Sequence, residues 1–394
     1  MADAFDLASM PPVRVLHLVP RARPGSISTL MSGAFRVLEG GPVRSSIASL
    51  RGFKGGVEKE FEAHGVKTHA LAEGFPTAWR QARALTRIVR DEGIQILHLQ
   101  RMRLLPLALG VRRRVPGLKL ILHLYVRVRV PDGHERHSAY AKRARVLARH
   151  QADVAEILCV SEAVRRDVQV MANLGAERGR VVYNGFDVEA FRVDRGGLDK
   201  AALRERLGMP RDARVVLATG RLVKEKDLPT LLRAAERVRE KDSGVYFAIV
   251  GDGRLREFLE ETVRARGLGE SVRLFGYRDD LLDFLRVADV FCVTSEREGQ
   301  PIALLEAQVA GLPAVVTDCG GTSEVVRDRE NGRIVPVGDD AAVAAAILEV
   351  LGDDALRTRM AEAAVRVGEA FTIERMALGW AEVYRDVLAL EGGR

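Results

Sequence analysis

Cysteine is scarce: Cys159, Cys292 and Cys319 are the three in 394 residues. They are too few and too scattered for a disulfide framework or a zinc site, and no metal site or cofactor is expected. Two of them sit inside apolar runs, LCV and FCV, and read as small buried hydrophobes. A reducing cytoplasm fits that usage. Long apolar runs are missing as well, since none approaches the roughly 20 residues that span a bilayer. The N-terminal MADAFDLASMPP has acids where a secretory leader needs bases, and it lacks an apolar core, so a cytoplasmic protein is expected.

What is present is a globular composition, 47% hydrophobic and 29% charged, which excludes intrinsic disorder. A chain of 394 residues exceeds what one hydrophobic core normally serves, so two domains are the default. The net charge of +7 is unevenly placed: residues 101–150 hold 13 Lys or Arg against Asp132 and Glu135, and the remainder is net negative. Within that segment AKRARVLARH spaces Lys142, Arg143, Arg145 and Arg149 around a stripe of Ala144, Val146 and Leu147. It reads as a solvated face, as a dock for an anionic membrane surface, or as a grip on a phosphorylated acceptor. Nucleic acid is disfavoured, because no aromatic residues interleave with the cations of AKRARVLARH.

Short β-branched runs alternate with helical periodicity. Val13–Val19, Val43–Leu50, Ile94–Leu99, Leu118–Leu124 and Ile157–Val160 form a first series of strands, with helices such as Trp79–Glu92 and Tyr140–His150 between them. A second series runs through Val215–Ala218, Val245–Val250, Val272–Phe275, Val290–Val293, Ala314–Val316 and Arg333–Val335. Helical stretches Leu228–Glu240 and Leu255–Arg266 separate its members. This pattern predicts an α/β protein of two Rossmann-like, doubly wound domains facing across a cleft, with a ligand at the carboxyl ends of the strands. The expected divisions are residues 1–190, residues 191–375, and a C-terminal helix over 376–394 packing back toward the first domain. The charged, glycine-containing stretch Asp187–Asp212 is the expected hinge.

The sharp chemical signals follow strands of the second series. In Thr219-Gly220-Arg221-Leu222-Val223-Lys224-Glu225-Lys226, glycine permits a tight turn, and Arg221 and Lys226 place two cations on one loop. Such a pair suits a diphosphate, although two solvated surface charges would look the same. Ile249-Val250-Gly251-Asp252-Gly253 begins like a dinucleotide fingerprint, but Arg256 stands where the third glycine belongs, so NAD is disfavoured. In Glu298-Gly299-Gln300-Pro301-Ile302-Ala303-Leu304-Leu305-Glu306, two carboxylates flank a helix start marked by proline. Two helical turns rise roughly 10 Å, more than the roughly 5 Å between the paired carboxylates of a retaining glycosidase. That spacing suits one elongated ligand held at two points, with a phosphate at the helix N-terminus between them. Asp318-Cys319-Gly320-Gly321-Thr322 adds a glycine pair that permits either close ligand approach or a tight turn.

Taken in order, these elements resemble the C-terminal half of retaining glycosyltransferases of the GT-B fold, glycosyltransferase family 4. The resemblance rests on GRLVKEKDLPTLLRAAERV, IVGDGRLREFLEE, the run from VRLFGYRDD through GGTSEVV, and NGRIVPVGD. It implies a sugar transferred from a UDP- or GDP-linked donor to an acceptor hydroxyl, with retention, without metal and without a protein nucleophile. Arg221 and Lys226, beside Gly220, would hold the donor diphosphate and stabilise the leaving group. Glu306 would bind the ribose hydroxyls. Glu298, with the backbone from Gly299 and Gln300 to Pro301 and Ile302, would hold the donor sugar. Gly276-Tyr277-Arg278 would lie beside the nucleobase.

The first half departs from the family pattern. The glycine expected after the first strand is best matched by Gly25, in RPGSIST. His98-Leu99-Gln100 stands where relatives often carry H-A-H. LILHLYV puts Tyr125 where they show an acceptor-side histidine, with His123 two residues earlier on the same strand face. The acceptor stays open: polysaccharide, glycolipid or small molecule. A nucleotide-sugar epimerase of the same fold and a non-catalytic nucleotide-sugar-binding protein are the alternatives.

Overall fold

The computed structural model describes residues 6–71, 78–127, 139–193 and 197–389. The chain divides into two compact units, Met1–Phe186 together with Thr372–Arg394, and Asp187–Phe371.

The first unit is built on seven parallel strands: β1 (Val13–Val19), β2 (Val43–Ser49), β3 (Lys67–Ala70), β4 (Ile96–Leu99), β5 (Lys119–Leu124), β6 (Glu156–Cys159) and β7 (Arg180–Val181). Their order is β3-β2-β1-β4-β5-β6-β7. The direction of winding therefore reverses between β1 and β4, the switch point where open α/β sheets take ligands. Helices cover both faces, so central strands such as β4 are buried at every residue and read as continuous apolar runs. β3 and β7 were not expected: the first is mostly half-exposed KTHA, and the second has two residues.

The last helix, Ile373–Ala389, belongs to this first unit and packs on the helix Ser26–Leu38. Its entry is fixed by backbone contact, with the Ile373 N–H donating to the Phe186 carbonyl at 3.1 Å. Gly185 is required there, because a Cβ would run into the Thr372 carbonyl. Gly33 likewise leaves room for the Ile373 side chain. Trp380 and Tyr384, both fully buried, fill the core beneath.

The second unit repeats the plan with β8 (Arg214–Thr219), β9 (Val245–Val250), β10 (Val272–Gly276), β11 (Val290–Val293), β12 (Ala314–Thr317) and β13 (Gly332–Val335), in the order β10-β9-β8-β11-β12-β13. Here the winding reverses between β8 and β11. Its core joins Phe247 and Ile249 of β9 to Leu231, Ala235 and Val238 on the helix Leu228–Lys241. The stretch expected as a hinge is not a bare linker. It contains the helices Val188–Phe191 and Lys200–Arg206. Its charges serve the fold: Lys200 and Arg204 pair with the mostly buried Asp289 at 3.2 and 2.8 Å. No described helix is long and apolar enough to cross a membrane.

Trp380→Ala should remove a fully buried indole and cost the first unit roughly 3–5 kcal/mol. Urea unfolding followed by circular dichroism should show the drop, and an unchanged midpoint would contradict the packing described.

Candidate functional site

The loops that leave β8 and β11 meet at the switch point of the second unit. Gly220 follows β8 with φ 138°, a conformation glycine adopts without strain. Gly251, after β9, lies against the Gly220 carbonyl so closely that no Cβ would fit, and Gly253 stands in the same relation to Leu222. The G-x-G pair thus serves backbone-to-backbone packing. Gly276 completes the row, its carbonyl accepting from the Gly251 N–H at 2.7 Å.

On the other side of the switch point, the loops after β11 and β12 are joined in the same way. Glu298 bridges to Gly320, the Gly321 N–H donates to the Glu298 carbonyl at 3.2 Å, and Gly321 backs onto the Gly299 carbonyl. The glycine pair serves this join. The two sides are then tied together. The Thr294 hydroxyl donates to the carbonyls of Lys226 and Asp227 at 3.2 and 3.0 Å, and the Glu296 N–H donates to the Glu225 carbonyl at 3.0 Å. Asp227 adopts the left-handed region, φ 42°, with its carboxylate accepting from the Thr230 hydroxyl.

This framework brings Lys226 and Glu298 into contact across 72 residues of sequence. Lys226 Nζ donates to Glu298 Oε1 at 2.6 Å, and the buried Ser295 hydroxyl donates to the same oxygen at 2.8 Å. A charge-assisted bond reinforced by a buried hydroxyl is among the stronger polar contacts a protein makes. Sequence reasoning missed Ser295 and Thr294, though both lie in TSEREG just ahead of Glu298. Arg221 is exposed beside them and has no ion-pair partner among the described residues. A pocket opens here, lined by Gly220, Arg221, Lys226, Thr294, Ser295 and Pro301.

Pro301 caps the helix Ile302–Val309, so Gly299 and Gln300, both buried, lead directly into its first turn. Further along this helix, the Glu306 carboxylate bonds to no described side chain, and burial pushes its pKa up to about 7. At the end of β10, Tyr277 is 74% exposed. Arg278 is held by Asp280 in a bidentate pair at 2.8 and 2.5 Å, and it lies 5.6 Å over the Phe284 ring.

In the first unit Gly25 precedes the helix Ser26–Leu38 with φ 139° and open space around it. His98, His123 and Tyr125 are drawn into one buried network. His98 and His123 stack at 5.3 Å, and His123 stacks on Tyr125 at 4.1 Å. Both histidines are interior groups, 0 and 1% exposed, and Tyr125 is buried with them. Burial lowers the pKa of both, that of His123 to about 3. His17, absent from the sequence reading, joins them 5.0 Å from His98, with its pKa also lowered to about 3 by burial.

The hydrogen bonds set the proton positions. Tyr125 donates to Gln100 Oε1 at 2.6 Å, leaving its oxygen to accept from His123 Nδ1 at 3.0 Å. Gln100 Nε2 then donates to His17 Nδ1 at 3.2 Å, which puts the His17 proton on Nε2. His98 Nδ1 lies 2.8 Å from the Tyr384 hydroxyl, and Trp380 lies edge-on to both His98 and His123. The expected basic helix is Ala139–Arg149, where Lys142, Arg145 and Arg149 are exposed and border a surface pocket with His150. Residues 128–138 of the basic segment lie outside the described residues.

Two Rossmann-like units, one with a cation–carboxylate pair at its switch point, define the class. A family profile described as Glycosyl transferases group 1 matches residues 199–367, and one described as Glycosyltransferase Family 4 matches residues 48–190. The chain belongs to the group 1 glycosyltransferases of family 4. It is 36% identical over 198 residues to the lipopolysaccharide core biosynthesis glycosyltransferase LpsE of Rhizobium meliloti, covering 50% of this chain and 52% of that protein. It is 30% identical over 291 residues to a D-inositol 3-phosphate glycosyltransferase of Salinispora arenicola, covering 67% and 65%. The matches thus span between half and two thirds of these relatives' length. A crystal structure of Anabaena HepE in complex with UDP superposes with a TM-score of 0.79 at 19% identity, over 94% of this chain and 98% of that one.

Glu306 sets a pH dependence of stability. Its folded pKa is raised from 4.5 to about 7, so the protonated form favours folding below pH 4.5, and that contribution is lost as pH rises through 7. Glu306→Gln should therefore raise the melting temperature at pH 8 more than at pH 5. Equal shifts at both values would show that the carboxyl is not desolvated.

Proposed function

We propose that the protein transfers a sugar from a nucleotide-diphosphate donor, UDP- or GDP-linked, to an acceptor hydroxyl with retention of configuration. The observation that carries this is the Lys226–Glu298–Ser295 contact at the β8/β11 switch point, flanked by Arg221 and the Glu306 carboxylate, neither of which meets a charged partner among the described residues. The family and the relatives support it.

In this reading the donor diphosphate enters beside Gly220. Arg221 supplies a planar fork, and Lys226 turns from Glu298 toward phosphate oxygen, so two cations stand where negative charge gathers as the sugar–phosphate bond breaks. That electrostatic role needs no metal. The helix Ile302–Val309 adds free N–H groups and the positive end of its dipole. Glu298, oriented by Ser295, bonds the hydroxyls of the sugar, and Glu306 bonds those of the ribose. Tyr277, the exposed ring at the end of β10, stacks on the base in this reading. The acceptor hydroxyl attacks from the face the diphosphate leaves, and its proton passes to the departing phosphate. No protein nucleophile takes part. The exposed cations of the helix Ala139–Arg149 give an otherwise cytoplasmic protein a face for an anionic membrane surface.

Arg221→Ala or Lys226→Ala should lower turnover by roughly 10²-fold, the cost of losing a donor that acts on transition-state charge. Unchanged rates in both would remove the diphosphate assignment. Glu306→Gln should weaken free UDP or GDP, whereas Glu298→Gln should leave nucleotide affinity near wild type and damage transfer. Calorimetry with nucleotide, set beside product assays, separates these outcomes. The anomeric proton coupling of the product tests retention.

A further inference from the structure

The carboxyl edge of the first unit's sheet carries a second concentration of cations, outside the donor residues. The loops after β1, β2 and β4 (residues 20–25, 50–56 and 100–104) hold Arg21, Arg23, Arg51, Lys54, Arg101 and Arg103, and contain no Asp or Glu. Parallel register brings them to one edge. Val19 of β1 pairs with Ser49 of β2, the Leu50 N–H donates to the Val19 carbonyl, and the Gln100 N–H donates to the Leu18 carbonyl.

The first two loops are stitched together. The Ala22 N–H donates to Gly52 and the Lys54 N–H to Ala22, at 3.3 and 3.0 Å, while the buried Ser49 hydroxyl donates to the Gly52 carbonyl at 2.6 Å. Arg51 is therefore on a braced turn. Arg101 lies 5.7 Å over the Tyr125 ring, and Arg143, on the helix that follows β5, lies 5.5 Å over Tyr140. Arg103 feels both groups. Desolvation, and then the like charges of Arg51, Arg101 and Arg143, hold its guanidinium below its ordinary value. Elsewhere in this unit Arg112, Arg127, Arg165 and Arg180 each meet a carboxylate. Among the described residues none meets Arg51, Arg103 or Arg143.

The geometry points to an anion subsite in which Arg51, Arg103 and Arg143 grip a phosphate group carried by the acceptor. It rests on the proposed transferase reading and adds to it the chemical class of the acceptor, a phosphate ester. Guanidinium groups offered from two loops and a helix at one sheet edge match phosphate oxygens by paired N–H bonds. The carboxyl edge beside a switch point is where such a sheet takes its ligand. Arg101, seated on Tyr125, links this subsite to the buried Gln100–His17 network behind it.

The test uses the full chain and an Arg51→Gln/Arg103→Gln variant, with the donor site first saturated with UDP so that added anion cannot enter it. Pyrophosphate should bind the wild type, with affinity falling as salt rises, and should bind the variant at least tenfold more weakly. UDP affinity should match in the two proteins and fall in Arg221→Ala, which reports on the transferase reading separately. Sedimentation with phosphatidylcholine vesicles containing phosphatidic acid distinguishes the sources. Because the variant keeps the cations of the helix Ala139–Arg149, sedimentation several-fold stronger for wild type than for variant places the phosphate on a lipid, and pyrophosphate binding with equal sedimentation of the two proteins places it on a soluble acceptor. Equal pyrophosphate affinity in the two proteins, or none in the wild type, overturns the subsite. Circular dichroism of the variant confirms that the exchange of surface side chains leaves the fold intact.

Discussion

Everything distinctive about the second unit depends on peptide backbones touching where side chains normally keep them apart. Gly251 against Gly220, Gly253 against Leu222, and Gly321 against Gly299 are three such contacts, each closed to any residue with a Cβ. They bind the loops within each side of the switch point to one another, and the Thr294 and Glu296 hydrogen bonds then tie the two sides together. Lys226 and Glu298 then meet with little freedom left to lose, so the cation and the carboxylate are held in place before any ligand arrives.

The two units use one plan for different chemistry. At the edge of the second, opposite charges are interleaved, as suits a ligand with a diphosphate at one end and hydroxyl groups elsewhere. At the edge of the first, the loops after β1, β2 and β4 carry cations alone, over an interior polar layer. In that layer Tyr125, Gln100, His17 and His123 exchange hydrogen bonds in a single direction. Burial keeps the imidazoles neutral, so the layer supports Tyr125 and Arg101 without contributing charge of its own.

Much of this was readable in the sequence, and for identifiable reasons. Parallel strands buried on both faces are continuous apolar runs, so β1, β9 and β11 announced themselves, whereas half-exposed β3 and two-residue β7 carried no such pattern. Glu298, Glu306, Arg221 and Lys226 stood out because glycine and proline punctuate their loops. What the glycines do was not readable, since their partners are other backbones distant in sequence. The Asp187–Asp212 stretch looked like a hinge because its cations face Asp289, about 85 residues away. His17 was hidden inside an apolar run. Its neighbours Trp380 and Tyr384 come from the far end of the chain, with Tyr384 reaching His98 across 286 residues.

That last contact governs the order of assembly during synthesis. The first unit is assembled from two stretches of chain, and the helix Ile373–Ala389 closes its core. A nascent chain that has emerged through Phe186 has all seven strands but no Trp380 or Tyr384, leaving a polar-lined hollow around His17, His98 and His123. The whole second unit, Asp187–Phe371, must leave the ribosome before that hollow can fill. The unit made first is therefore the one completed last, reversing the usual sequence in which domains mature as they emerge.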